Sequence, residues 1–88
     1  MITFSLKASR NYYTIYINGK MHLKFKKADF VGAQSYKEPA TPQERSERGF
    51  KEYKYTVVFY LKSNSIACEY DTFEKWEQVL MLIDSKIK

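Results

Sequence analysis

The stretch from Tyr53 to Ile87 constrains the fold more than any other part of the chain. Tyr53, Tyr55, Val57, Phe59 and Leu61 alternate with Lys54, Thr56, Val58, Tyr60 and Lys62, which predicts a strand with one buried face. A second alternating run sets Ile66, Cys68 and Tyr70 against Ala67 and Glu69. A two-residue turn at Ser63-Asn64 pairs Leu61 with Ile66, Phe59 with Cys68 and Val57 with Tyr70, all inward residues, whereas a one-residue slip would set apolar against polar throughout. Beyond this hairpin, Asp71 reads as a helix N-cap with Glu74 three residues on. Phe73, Trp76, Val79, Leu80, Ile83 and Ile87 then form one stripe at helical spacing, as a helix lying on a sheet requires. The last third is thus a hairpin and its helical lid.

At 88 residues the chain, residues 1–88, is one domain that buries roughly 60 to 65% of its unfolded surface and so needs an efficient core. The single Cys rules out an internal disulfide, and no Cys/His set with zinc spacing is present. Neither a metal nor a cofactor is expected. No segment approaches the ~20 apolar residues of a membrane span, and no leader pattern is read at the start, which gives the expectation of a cytoplasmic protein. Charge is unevenly placed. Met1 to Ala28 holds six basic and no acidic residues, and the remaining 60 residues hold nine basic and ten acidic. The net charge of +5 therefore belongs to the first third, an asymmetry that suits an anionic partner.

Ile2, Phe4 and Leu6 alternate with polar neighbours and predict a first strand, followed by a turn at Ser9 to Asn11. Tyr12 to Ile17 and Lys20 to Lys26 make the next two, joined at Asn18-Gly19, the strongest turn signal in the chain. A two-residue loop there would pair Ile15 with His22 and Tyr13 with Lys24. A three-residue loop with Gly19 in a G1 bulge instead pairs Ile15 with Met21 and Tyr13 with Leu23. This register gives an inner face of Tyr13, Ile15, Met21, Leu23 and Phe25 and an outer face of Tyr12, Thr14, Tyr16, His22, Lys24 and Lys26. A fourth strand is expected over Asp29 to Lys37, with Gly32 marking a bulge or close approach. Residues 38–49, polar and interrupted by Pro39 and Pro42, read as a mobile loop with one helical turn after Pro42.

The expected fold is α+β: an antiparallel sheet of five to six strands, flat or bent into a barrel-like form, with one C-terminal amphipathic helix packed on it. Two surfaces compete for function. The leading reading is a non-enzymatic module that binds a protein through the sheet edge, the long loop or the outer side of the helix. Its residues are Val58, Tyr60, Met81 and Leu82, apolar positions outside the buried pattern that would also serve a homodimer. The alternative is single-stranded DNA or RNA on the basic aromatic face, through Tyr12, Tyr16, Lys20, His22, Lys24, Lys26 and Lys27, with bases on rings and phosphates on cations. A solvent-facing strand also favours Tyr for propensity and Lys against edge pairing. His22 and Cys68 are the only side chains that suggest nucleophilic chemistry, and they point to opposite faces, so no dyad and no enzyme is expected.

In element order, antiparallel strands followed by a C-terminal helix bearing Trp76 resemble the pleckstrin-homology-like fold, on no sequence motif and with six strands counted against seven. The resemblance implies a non-catalytic platform for peptides, partner domains or, in some members, phosphoinositide headgroups, with Lys7 and Arg10 flanking the first turn.

Overall fold

The computed structural model describes residues 2–87. Six strands and two α-helices follow in the order β1 (Phe4–Ala8), β2 (Tyr12–Ile17), β3 (Lys20–Lys26), β4 (Phe30–Pro39), α1 (Pro42–Glu47), β5 (Tyr53–Leu61), β6 (Ser65–Tyr70) and α2 (Phe73–Leu82). A 3-10 turn, Lys27–Asp29, joins β3 to β4, and a π-helical turn, Ile83–Ile87, prolongs α2. The α+β class and antiparallel pairing agree with the sequence reading. The single sheet does not. The strands divide into two three-stranded sheets, β1-β2-β3 and β4-β5-β6.

The two sheets pack through their inner faces. Phe4, Ile15, Leu23 and Phe25 of the first meet Val57, Phe59 and Tyr70 of the second, with Val79 and Ile83 from the helical segment. The rings of Phe25 and Phe59 lie 5.7 Å apart. This division corrects a second expectation. The helix contacts β1 of one sheet and β5 and β6 of the other, so it is buried along a wider arc than one stripe. Leu82, expected to project into solvent, is half-buried against the core. Phe73, assigned to the stripe, is 53% exposed at the first helical position, where its ring meets Tyr55 and Trp76 edge-on. The N-cap is Thr72, whose hydroxyl accepts from the Lys75 N–H. Asp71 instead pairs with Lys75 at 2.7 Å.

The β5-β6 hairpin keeps its expected inward residues, the β2-β3 hairpin keeps all of them except Met21, and both differ in register. In β5-β6 a four-residue loop, closed by the Leu61 N–H donating to the Asn64 carbonyl, pairs Phe59 with Ile66, Val57 with Cys68 and Tyr55 with Tyr70. Four residues and two are both even, so the faces are conserved while the partners move by two. In β2-β3, Asn18 and Gly19 have φ of 51° and 82°, the pair of positive values that defines a two-residue type I′ turn. Ile17 then pairs with Lys20, Tyr16 with Met21, and Ile15 with Leu23. His22 is the additional residue. The bulge lies inside β3, not at Gly19, and it switches the face of everything before it. Met21 therefore points outward, 66% exposed, and His22 leaves the outer face.

In the segment 38–49, α1 begins with a capping box. The Thr41 hydroxyl accepts from Glu44 N–H, and the Glu44 carboxylate accepts from Thr41 N–H. This helix is the turn expected after Pro42. Ala40 and Phe50 at its two ends are buried.

Candidate interaction surfaces

Two three-stranded sheets have four edges, and this chain treats them unequally. At β1, the Gln78 side chain of α2 donates to the Ile2 carbonyl (3.2 Å) and accepts from the Phe4 N–H (3.3 Å). One amide thus takes the place of a neighbouring strand. The seven residues of β3 carry Lys20, Lys24 and Lys26, and the six of β6 carry Glu69, which Arg48 holds at 2.8 Å. The remaining edge, β4, is ten residues long. Its start is irregular, with a register shift between Phe30 and Gly32 that leaves Val31 67% exposed, and its end carries Lys37, Glu38 and Pro39. Between these edge-protecting features runs Gly32 to Tyr36, regular in register and uncharged. Beside it is a cleft of about 200 Å³ lined by Ala33, Gln34, Ser35, Leu80, Ile83 and Asp84. Small inward side chains at Ala33 and Ser35 leave this space between β4 and the helix.

The outer face of the first sheet forms three cross-strand rows: Ser5, Tyr16 and Met21; Lys7, Thr14 and Lys24; Tyr12 and Lys26. Lysines of the central row lean onto tyrosines of the flanking rows. Lys24 Nζ sits 4.6 Å from the Tyr12 ring centre and Lys7 Nζ 5.6 Å from that of Tyr16, within cation–π range. Four of the seven residues expected on this face are there: Tyr12, Tyr16, Lys24 and Lys26. Lys20 pairs with Ile17 at the turn, on the other side of the sheet. Lys27 lies in the 3-10 turn, 5.1 Å from the Tyr13 ring. His22 Nε2 is 2.8 Å from the Tyr70 hydroxyl, on the inner side. Sequence reasoning missed the part played by Lys7 on this face, although the acid-free run from Met1 to Ala28 contained the signal.

On the outer face of the second sheet Tyr60 donates its hydroxyl to Gln34 (2.8 Å) and Val58 is half-buried. Met81, 62% exposed, is on the helix. The structure does not join the four residues expected to bind a protein into one patch, since Leu82 faces the core. Lys54 lies under three carboxylates, Glu44 at 2.7 Å, Glu69 at 3.2 Å and Glu38 at 3.3 Å, with 15% of its side chain exposed. Hydrogen bonding to these groups raises the Lys54 pKa, and the bond from Lys54 together with that from the Thr41 backbone takes Glu44 down to about 2.

Burial raises the pKa of both the Cys68 thiol and the Tyr70 hydroxyl, and partial burial lowers that of His22. All three are driven toward their neutral forms, and a neutral thiol is a poor nucleophile. Among the described residues no three His, Cys, Asp or Glu side chains are placed to hold a metal ion, and no helix is long and apolar enough to cross a membrane. Comparison with protein-family models, curated proteins and solved structures gave no match to this chain.

Proposed function

We propose that the chain is a small non-enzymatic interaction module that takes an extended segment of a protein partner along β4. The observation that carries this reading is the uncharged, regular edge from Gly32 to Tyr36 beside the cleft against Leu80 and Ile83. An added strand would hydrogen-bond to the edge, and its alternate side chains would enter the cleft, so backbone pairing supplies affinity and the cleft, lined by Gln34, Ser35 and Asp84 as well as Ala33, Leu80 and Ile83, selects small side chains. Burial favours the neutral thiol at Cys68, which makes it a poor nucleophile. A pleckstrin-homology-like platform fits the same proposal. Two antiparallel sheets and a C-terminal helix bearing Trp76 speak for it, and six strands instead of seven speak against it.

The test begins with peptides selected from a random displayed library against the whole protein. Amide hydrogen exchange then asks whether a selected peptide protects Gly32 to Tyr36. Consecutive residues of a strand direct their N–H groups to opposite edges, so proline at Gln34 and at Ser35 in turn must abolish binding in at least one case while the domain stays folded. Peptides that bind with no protection of β4, and with full affinity for both proline variants, would overturn the proposal.

A further inference from the structure

We infer that the outer face of the first sheet, together with the basic cleft at its end, is a track for single-stranded nucleic acid. The cleft, about 350 Å³, is lined by Arg10, Asn11, Tyr12, Lys26, Lys27 and Ala28. Three cations share one concavity with no carboxylate among the lining residues, and the Lys27 N–H donating to the Asn11 carbonyl at 2.9 Å ties its two walls together. Tyr12 belongs to both the cleft and the sheet face. The cleft therefore adjoins the sheet face at Tyr12 and Lys26, with Lys24 and Lys7 in the next row.

Two features select the chemistry of the occupant. The first is the repeated pairing of a ring with a cation, Tyr12 with Lys24 and Tyr16 with Lys7. In each pair the ammonium lies over the ring, and a lysine that swings off to meet a phosphate leaves the ring free to stack on a base. The exposed Met21 beside Tyr16 widens the apolar end of this row. The second is spacing. Tyr12 and Tyr16 are four residues apart on β2, about 13 Å at the rise of a strand, several times the ~3.4 Å rise of stacked bases. A chain using both rings must hold its bases apart, which a single strand can do and a duplex cannot. Lysines placed only for solubility would be interspersed with acids, as they are on the second sheet. Here β1, β2 and β3 contain none.

Fluorescence anisotropy on the full chain, with labelled oligodeoxythymidine and oligouridine, tests the inference against a duplex of equal length and against phosphatidylserine vesicles. Single strands are expected to bind at low salt, with log affinity falling by about 0.7 per phosphate contact for each decade of salt. Tyr12→Leu should weaken binding roughly 5- to 150-fold, the effect of losing one stacked base, and leave the salt slope unchanged. Joint Lys26→Gln and Lys27→Gln should lower the slope by about 1.4. Lys37→Gln, on the second sheet, should change neither. The lysine pair includes exposed Lys26 and serves as the test should Tyr12→Leu unfold, as judged by circular dichroism. No binding at low salt, equal affinity for duplex or vesicles, or wild-type affinity and slope in the folded variants would each overturn the inference.

Discussion

Replacing Gln78 tests whether a single side chain closes the β1 edge. Gln78→Met keeps the length of the side chain and its packing volume but removes both hydrogen bonds, to the Ile2 carbonyl and from the Phe4 N–H. A side-chain hydrogen bond is worth about 0.5–1.5 kcal/mol net. Both bonds are long, at 3.2 and 3.3 Å, and both are part-buried, so water can recover some of the loss. We expect a destabilisation of about 1–2 kcal/mol, read as a lower urea midpoint with an unchanged m-value. For a domain of this size that corresponds to a fall in Tm of roughly 5–15 °C. A second consequence separates an edge cap from an ordinary surface contact. Freed backbone groups at β1 template pairing with another chain, so the variant should also gain a concentration-dependent mass in light scattering. Gln78→Ala, which additionally loses packing, should lose more stability and show the same association. A Gln78→Met protein as stable as the parent and monodisperse at every concentration would refute the cap.

Thr56 is 2% exposed and its hydroxyl finds no hydrogen-bond partner; Thr56→Val should raise stability by about 1 kcal/mol, and a lower urea midpoint would show that the hydroxyl is satisfied. Deleting His22 removes the additional residue of the β3 bulge and leaves Tyr16 beside Met21 and Ile15 beside Leu23 in an unbroken ladder. The deletion variant should therefore fold, with a loss of about 1–2 kcal/mol from the freed Tyr70 hydroxyl, whereas an unfolded product would argue that the bulge itself is required. Stability should also depend on pH in two steps. Burial lowers the pKa of His22 in the folded state from 6.5, so the unfolded chain takes up the proton first, and this contribution is present above 6.5 and lost as pH falls through the folded value. Glu44, Glu69 and Asp71 are held below their ordinary values of 4.5, 4.5 and 3.8, chiefly by hydrogen bonds from Lys54, Arg48 and Lys75, and their contributions are lost at more acid pH. His22→Gln should abolish the first step and keep the second in urea midpoints followed against pH; a first step that survives the substitution would assign it to another group.

The faces of β5 and β6 were legible in the sequence because face depends only on parity. A loop of two or of four residues puts Phe59 opposite an apolar residue, Cys68 in one case and Ile66 in the other, and apolar pattern alone cannot choose between them. The β2-β3 hairpin needed one additional residue to reconcile an Asn-Gly turn with its apolar pattern. That need was readable, but its position was not, since a bulge at Gly19 and a bulge at His22 both align Tyr13 and Ile15 with apolar residues. Choosing the first misplaced Met21 and His22. Leu82 was misread for a reason of higher order: one stripe is correct for a helix on a single sheet, and only the division into two sheets widens its buried arc. The basic face was partly legible, through Tyr12, Tyr16, Lys24 and Lys26. Lys7 joins it only through the pairing of β1 with β2, and the cleft requires the β1-β2 turn to meet the end of β3. The β4 edge was beyond reach, because an edge is a property of strand order.

The two sheets differ in the charges that their strands carry. Three cations near the second sheet have carboxylate partners, Lys54 with three of them, Arg48 with Glu44 and Glu69, and Lys75 with Asp71, while Lys37 lies over the Tyr53 ring. On the first sheet Lys7 and Lys24 lie over the rings of Tyr16 and Tyr12, which leave the charge in place. Strands β1 to β3 thus carry lysines and no acid, whereas β4 to β6 carry charges of both signs. Because the sheets pack by their inner faces, a strand of nucleic acid on one and an extended peptide on the edge of the other would not touch. Their affinities should then be independent, with saturating oligonucleotide leaving the Kd of a β4-binding peptide unchanged at fixed salt. A change of more than about threefold, roughly 0.6 kcal/mol of coupling, would show that the two surfaces communicate through the shared core of Phe25 and Phe59.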